Sequence, residues 1–164
     1  MRIALGSDER SHLTDFVARE LRHRGFPVEL FGPLKGEPLP WPDVAQAVAE
    51  SVASGRADEG VLFCWTGTGV SMAANKVPGV RAALCGDAET ARGARAWNQA
   101  NVLCLSLRAT TETVAKEILD AWFSASPDPA EEENVGKVNS LDERYRPAAP
   151  LPARGREGSS SGKR

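Results

Sequence analysis

One segment concentrates groups able to do nucleophilic or proton-transfer chemistry: Phe63-Cys64-Trp65-Thr66-Gly67-Thr68-Gly69-Val70-Ser71. A thiol closes an apolar run, and a Gly-rich turn leads from it toward a helix. Backbone N–H groups at a helix N-terminus attract anions and lower a neighbouring thiol's pKa from about 8.5. A thiolate placed there could act as base or nucleophile toward a phosphate or an oxyanion. Cysteine is also among the most buried residue types, so a structural thiol at Cys64 is the competing reading. Two familiar phosphate loops do not fit. Gly67-Thr68-Gly69 begins a GxGxxG, but Met72 stands where the third glycine belongs. A cysteine-phosphatase loop needs an arginine six residues after the thiol, where this chain has Val70. Lys76 lies too far along to serve as a Walker lysine.

Other residues offer weaker chemistry. Asp8, after the first apolar run, could bind a sugar hydroxyl or cap the following helix. Arg92, Arg95 and Arg108 could meet an anion or stand as ordinary surface arginines. Cys85 and Cys104 fall at or within apolar runs, where packing is their expected role. The two histidines, His12 and His23, both fall on the first helical segment, and the three thiols lack short ligand spacing. No zinc or other metal site is expected from them, and no cofactor. A Ser-His-Asp triad would have to draw on one of those two histidines. Glu131-Glu132-Glu133 reads as the solvated start of a helix.

These residues need a frame that holds them. Strand-like runs at Arg2–Gly6, Pro27–Phe31, Gly60–Cys64, Val80–Cys85 and Asn101–Leu107 alternate with helical segments. Leu13, Phe16, Val17 and Leu21 recur at helical spacing before Gly25, and Val44, Val48 and Val52 do so before Gly55. Gly32–Pro42, with four prolines, reads as a loop. Ser71–Lys76 and Asp87–Asn98 read as helices. Thr110 and Thr111 can cap a long helix carrying Val114, Ile118 and Trp122, and Ala130–Arg144 forms one more. Repeated strand–helix units imply parallel strands with right-handed crossovers. The expected fold is therefore α/β: a three-layer α/β/α, Rossmann-like sandwich around a parallel sheet of about five strands. Ligands bind such sheets outside the carboxyl ends of the strands. That rule nominates Ser7-Asp8, Cys64 to Gly69, Cys85 to Asp87 and Ser106 to Arg108.

Composition limits the alternatives. Hydrophobic residues make up 41% and charged residues 26%, as in a soluble globular domain. The net charge of −2 and the 6% of aromatics argue against a nucleic-acid surface. No apolar run reaches membrane-spanning length, and the opening MRIALGSDERSH turns polar too early for a secretory signal. Three cysteines read as free thiols, which places the protein in the cytoplasm. Residues 147–164 are rich in Pro, Gly, Ser and Arg and carry a net charge of +3. They are expected to form a disordered basic tail after a domain spanning 1–146.

Three blocks of the sequence resemble the ribose-5-phosphate isomerase B family, which also includes the galactose-6-phosphate isomerase subunits. They are Ile3-Ala4-Leu5-Gly6-Ser7-Asp8, the run from Cys64 through Ala73-Ala74-Asn75-Lys76-Val77 to Arg81-Ala82-Ala83-Leu84-Cys85, and Asn98-Gln99-Ala100-Asn101-Val102-Leu103. The resemblance covers roughly residues 1–125. It implies a cofactor-free aldose–ketose isomerase of carbohydrate metabolism, of the pentose phosphate type, acting on a sugar or sugar phosphate. It also implies a homodimer, or a tetramer of paired dimers, with sites at the subunit interface. It places the catalytic base at Cys64, with Thr66 assisting at the ring oxygen or hydroxyls. The N–H groups of Gly67, Thr68, Gly69, Val70 and Ser71 would stabilise an enediolate. Asp8 would orient the substrate, with Trp97, Asn98 and Arg108 around its hydroxyls or phosphate.

The sequence also departs from that family. Asp8-Glu9-Arg10-Ser11 replaces a usual Asp-His-Ala-Gly, Trp97 replaces a histidine implicated in ring opening, and Trp65 replaces a glycine. Ala130 and Asn134 fall near the places of phosphate-clamping arginines, and Arg10 is a candidate substitute for them. These changes imply an altered substrate preference. The alternative is a catalytically silent metabolite-binding or hetero-oligomer partner subunit on the same scaffold.

Overall fold

A computed structural model of the protein describes residues 1–145. The expected boundary at 146 and the expected tail lie outside the described residues. Five strands, β1 (Ile3–Ser7), β2 (Val28–Phe31), β3 (Glu59–Cys64), β4 (Ala82–Leu84) and β5 (Val102–Ser106), alternate with six helices. The helices are α1 (His12–His23), α2 (Trp41–Ala53), α3 (Thr68–Ala74), α4 (Ala88–Ala96), α5 (Glu112–Ser124) and α6 (Glu132–Arg144). All strands are parallel, in the order β2-β1-β3-β5-β4. This is the expected α/β architecture.

The central strands β1, β3 and β5 read as nearly unbroken apolar runs because both faces of the sheet are covered there. Val61 and Phe63 of β3 enter one core with Leu103 and Leu105 of β5, closed by α1, α4 and α5. Leu62 and Cys64 enter the opposite core with Val102 and Cys104, under α2 and α3. Helix starts follow local hydrogen-bonding chemistry. Ser11 and Thr14 form a reciprocal capping box on α1, Asp87 accepts from Thr90 N–H on α4, and Thr111 accepts from Val114 N–H on α5.

Three of the boundary differences from the expectation have a clear local cause. The Gly32–Pro42 loop instead holds a 3-10 turn at Gly32–Lys35, and α2 already begins at Trp41. Proline suits a helix's first turn, where its missing N–H has no intrahelical partner to lose, so Pro42 does not break α2. Helix α3 starts at Thr68 rather than Ser71, because Gly67 takes a left-handed conformation (φ 77°) and caps it. Strand β4 is shorter than Val80–Cys85, because Val77–Val80 closes a turn just before it (Val80 N–H to Val77 O, 3.1 Å).

Candidate active site

The ends of β1, β3 and β5 lie side by side, Ser7 paired with Phe63 and Cys64 with Ser106. Cys64 is buried at 6% exposure, where the strand gives way to Trp65 and Thr66, both exposed. The β5 end is tied to this loop by Leu107 N–H to Cys64 O (3.0 Å), Arg108 N–H to Trp65 O (3.1 Å) and the Ser106 hydroxyl to Trp65 O (2.9 Å). Thr66 and Thr68 share a hydroxyl–hydroxyl bond of 2.7 Å. The first intrahelical bond of α3 runs from Ser71 N–H to Gly67 O at 3.3 Å. The N–H groups of Thr68, Gly69 and Val70 precede it, as the first donors of any helix do.

The turn is tightly held. A side chain at Gly67 would meet Leu84 Cδ1 at 2.5 Å and the Leu105 carbonyl at about 3 Å, so the loop lies directly against the sheet. Over Gly69 lies the indole of Trp41, which an added Cβ would approach to 3.1 Å. Trp41 escapes notice in the sequence because it sits among prolines in an apparent loop.

Asp8 follows β1. Because Ser11 caps α1, Asp8 is released from the capping role that its position also suggested. It is partly buried, and its Oδ1 has no partner among the described residues. Burial raises its pKa, the nearby Glu9 adds to the rise, and a bond from its own backbone opposes it. Arg10 pairs at the surface with Asp15 through Nε alone (2.9 Å to Oδ1). Arg108 is exposed and makes no ion pair among the described residues.

Cys85 and Cys104 behave as packing residues. Burial pushes the Cys85 thiol up to about 12, helped by Asp87, and raises that of Cys104 as well. Ser71 is partly committed to the fold, its hydroxyl reaching Ala82 O at 3.4 Å. Asn75, in the Ala73–Val77 block, pins β4 onto α3. Its amide donates to Ser71 O (3.0 Å) and Ala82 O (2.8 Å) and accepts from Ala82 N–H (2.8 Å).

Trp97 and Asn98 do not gather with the thiol loop. They line a cavity of about 530 Å³ with residues of β4 and α6, and no strand-end residue of β1 or β3 borders it. The expected site residues therefore form two groups in the chain. Cys64, Thr66, Gly67, Thr68, Gly69, Ser71, Asp8 and Arg108 gather at or near the carboxyl ends of β1, β3 and β5, while Trp97 and Asn98 end α4.

Residues 3–141 match the family model described as Ribose/Galactose Isomerase. The chain is 37% identical over 126 residues to a D-erythrulose-4-phosphate isomerase of Pectobacterium atrosepticum, covering 75% of this chain and 82% of that one. It is 34% identical over 145 residues to ribose-5-phosphate isomerase B of Escherichia coli, covering 87% and 97%. The solved ribose-5-phosphate isomerase B of Clostridium thermocellum superposes with a TM-score of 0.83 at 39% identity, covering 88% of this chain and 99% of that one.

Proposed function

The chain belongs to the ribose/galactose isomerase family, whose members are aldose–ketose isomerases, and on that premise we propose how it works and on what. Cys64, as thiolate, removes the proton from the carbon beside the substrate carbonyl. The electron pair moves into a cis-enediolate, the hydroxyl proton passes to the former carbonyl oxygen, and the same sulfur returns its proton to the former carbonyl carbon. One carbon is oxidised and its neighbour reduced, with no external electron acceptor. The N–H groups of Thr68, Gly69 and Val70 face the oxygen on which charge develops. Thr66 assists at the ring oxygen, and Asp8 orients the hydroxyls.

The observation that carries this reading is the seating of Cys64 at a strand end, directly before a left-handed Gly67 and a helix whose first N–H groups precede its hydrogen-bond ladder. The separation of Trp97 and Asn98 from the thiol loop supports a homodimer in which one subunit's α4 end faces the other's strand ends. Trp65 (62% exposed) and Trp97 (54% exposed) support a substrate preference other than ribose 5-phosphate. Three free thiols support a cytoplasmic setting. No helix among the described residues is long and apolar enough to cross a membrane.

Incubation with sugars and sugar phosphates in deuterated water tests the mechanism. Deuterium enters the carbon beside the carbonyl with the wild type, and Cys64→Ala abolishes this while keeping the fold. Exchange retained by the variant overturns the role of Cys64. No exchange with any sugar points instead to a silent partner subunit, to be sought by copurification.

A further inference from the structure

The turn that follows α4 holds a conformation that L side chains rarely adopt. Gln99 has a φ of 47°, the only positive φ on a non-glycine residue among the described residues. Such a residue persists only where its surroundings over-determine it, and those places cluster at functional sites. Two guanidinium groups supply the constraint here. Arg81 Nε donates to Gln99 O at 3.0 Å, and Arg95 Nη1 donates to Ala100 O at 2.5 Å. The turn also closes on α4 through Ala100 N–H to Ala94 O, at 2.9 Å.

Arg95 is itself anchored. Its Nη2 pairs with Glu59 Oε1 at 2.7 Å, and the guanidinium lies 5.3 Å from the centre of the Trp122 ring, as a cation–π contact. Glu59 is the first residue of β3 and is buried. Arg95 Nε has no partner among the described residues, so the two outer nitrogens carry the attachment. One rigid fork thus joins a buried carboxylate of the sheet to the backbone two residues after Asn98. The side chains that the turn presents do not hold themselves in the same way. The Asn98 amide is exposed and makes no hydrogen bond among the described residues. The Trp97 indole rests on the α4 backbone, where a Cβ added to Gly93 would come within 2.6 Å of it, and its other face is open. Their directions are set by the backbone from Trp97 to Ala100.

We infer that Arg95, anchored by Glu59, is a positioning residue for the reaction: it fixes the turn that offers Trp97 and Asn98 to the substrate and does not touch the substrate itself. The inference rests on the isomerase reading and on the homodimer proposed with it, in which the α4 end of one subunit faces the strand ends of the other. Glu59 acts one step further back, through Arg95.

Arg95→Lys tests it, because lysine keeps the charge beside Glu59 and loses the fork. The full chain is labelled with 5-fluorotryptophan, and the Trp97 fluorine resonance is assigned by its absence in Trp97→Phe. In Arg95→Lys this resonance is expected to shift or broaden while those of Trp41 and Trp65 stay in place. On the substrate found by deuterium exchange, kcat/KM is expected to fall at least about 10-fold, as misplacement of a substrate-facing group does. In the Asn98→Ala background the same change is expected to cost less than about 3-fold, because the side chain it positions is gone. Glu59→Gln removes the charge that anchors Arg95 and serves as the second variant should Arg95→Lys not fold. It is expected to disturb the same resonance and to lower kcat/KM. An unmoved Trp97 resonance, an unchanged kcat/KM, or a loss undiminished in the Asn98→Ala background overturns the inference. Failure of the isomerase reading shows instead as absent deuterium exchange in the wild type, and leaves the response of the Trp97 resonance as it is.

Discussion

Gly67 admits no other residue without cost. Its φ of 77° lies where a Cβ costs roughly 1–2 kcal/mol, and the added carbon would press on Leu84 and the Leu105 backbone. Gly67→Ala is therefore expected to lose at least about 1–2 kcal/mol of stability. Because the displaced loop carries the N–H groups of Thr68 and Gly69, kcat should fall more than KM rises, which steady-state kinetics will show. The proposed mechanism uses Asp8 in its ionised form. Burial keeps its carboxyl protonated to a higher pH than an ordinary aspartate. An ionised Asp8 is thus lost early on acidification. The acid limb of kcat/KM should lie above that of an ordinary aspartate and vanish in Asp8→Asn. The same physics sets two of the thiols aside. Burial holds Cys85 near 12 and raises Cys104, so neither offers thiolate at pH 8. Mass spectrometry after brief alkylation of the folded protein should find the label at Cys64 alone; label at Cys85 or Cys104 in intact protein contradicts that ordering.

Between elements, Asn75 is the clasp that sets the shortest strand. Its three bonds to the backbone of Ser71 and Ala82 join α3 to β4. Asn75→Ala leaves a strand N–H and carbonyl without their partner and should cost about 1–3 kcal/mol, read as a lowered melting temperature. The central strands were legible in the chain because both their faces are largely apolar and buried, and Cys64 was legible because it ends such a run. The helix starts at Ser11, Asp87 and Thr111 were open to reading for a similar reason, since capping acts over three residues. Contacts across sequence were not legible. The amide of Asn75 finds its partners seven residues away, in another element, and Trp41 reaches Gly69 across two elements. The separation of Trp97 from Cys64 in the chain depends on the strand order, with β5 placed between β3 and β4. No local pattern encodes that order.

Across the whole molecule, the amino end of the sheet is locked by a buried polar cluster opposite the thiol loop. Glu59, the first residue of β3, accepts the Trp122 indole N–H of α5 (2.5 Å) and pairs with Arg95 of α4 (2.7 Å). Burial raises the Glu59 pKa above its ordinary 4.5 despite the lowering effects of Trp122 and Arg95. The folded state therefore holds this proton more tightly than the unfolded chain. The stability it contributes is complete below about pH 4.5 and declines as pH rises through the folded value. Glu59→Gln does not titrate, so the melting temperature of the wild type relative to this variant should fall as pH is raised from 4.5; a gap independent of pH would contradict the raised pKa. The same cluster divides the four tryptophans by what they can report. Trp122 is sealed at 1% exposure, whereas Trp41, Trp65 and Trp97 are 41–62% exposed, two of them on the thiol loop or against it and one on the α4–α6 cavity. Intrinsic fluorescence thus has two channels in one chain: a blue, quencher-resistant emission that disappears only when the sheet and α5 separate, and a red, quenchable emission from the exposed indoles at the thiol loop and the α4 end.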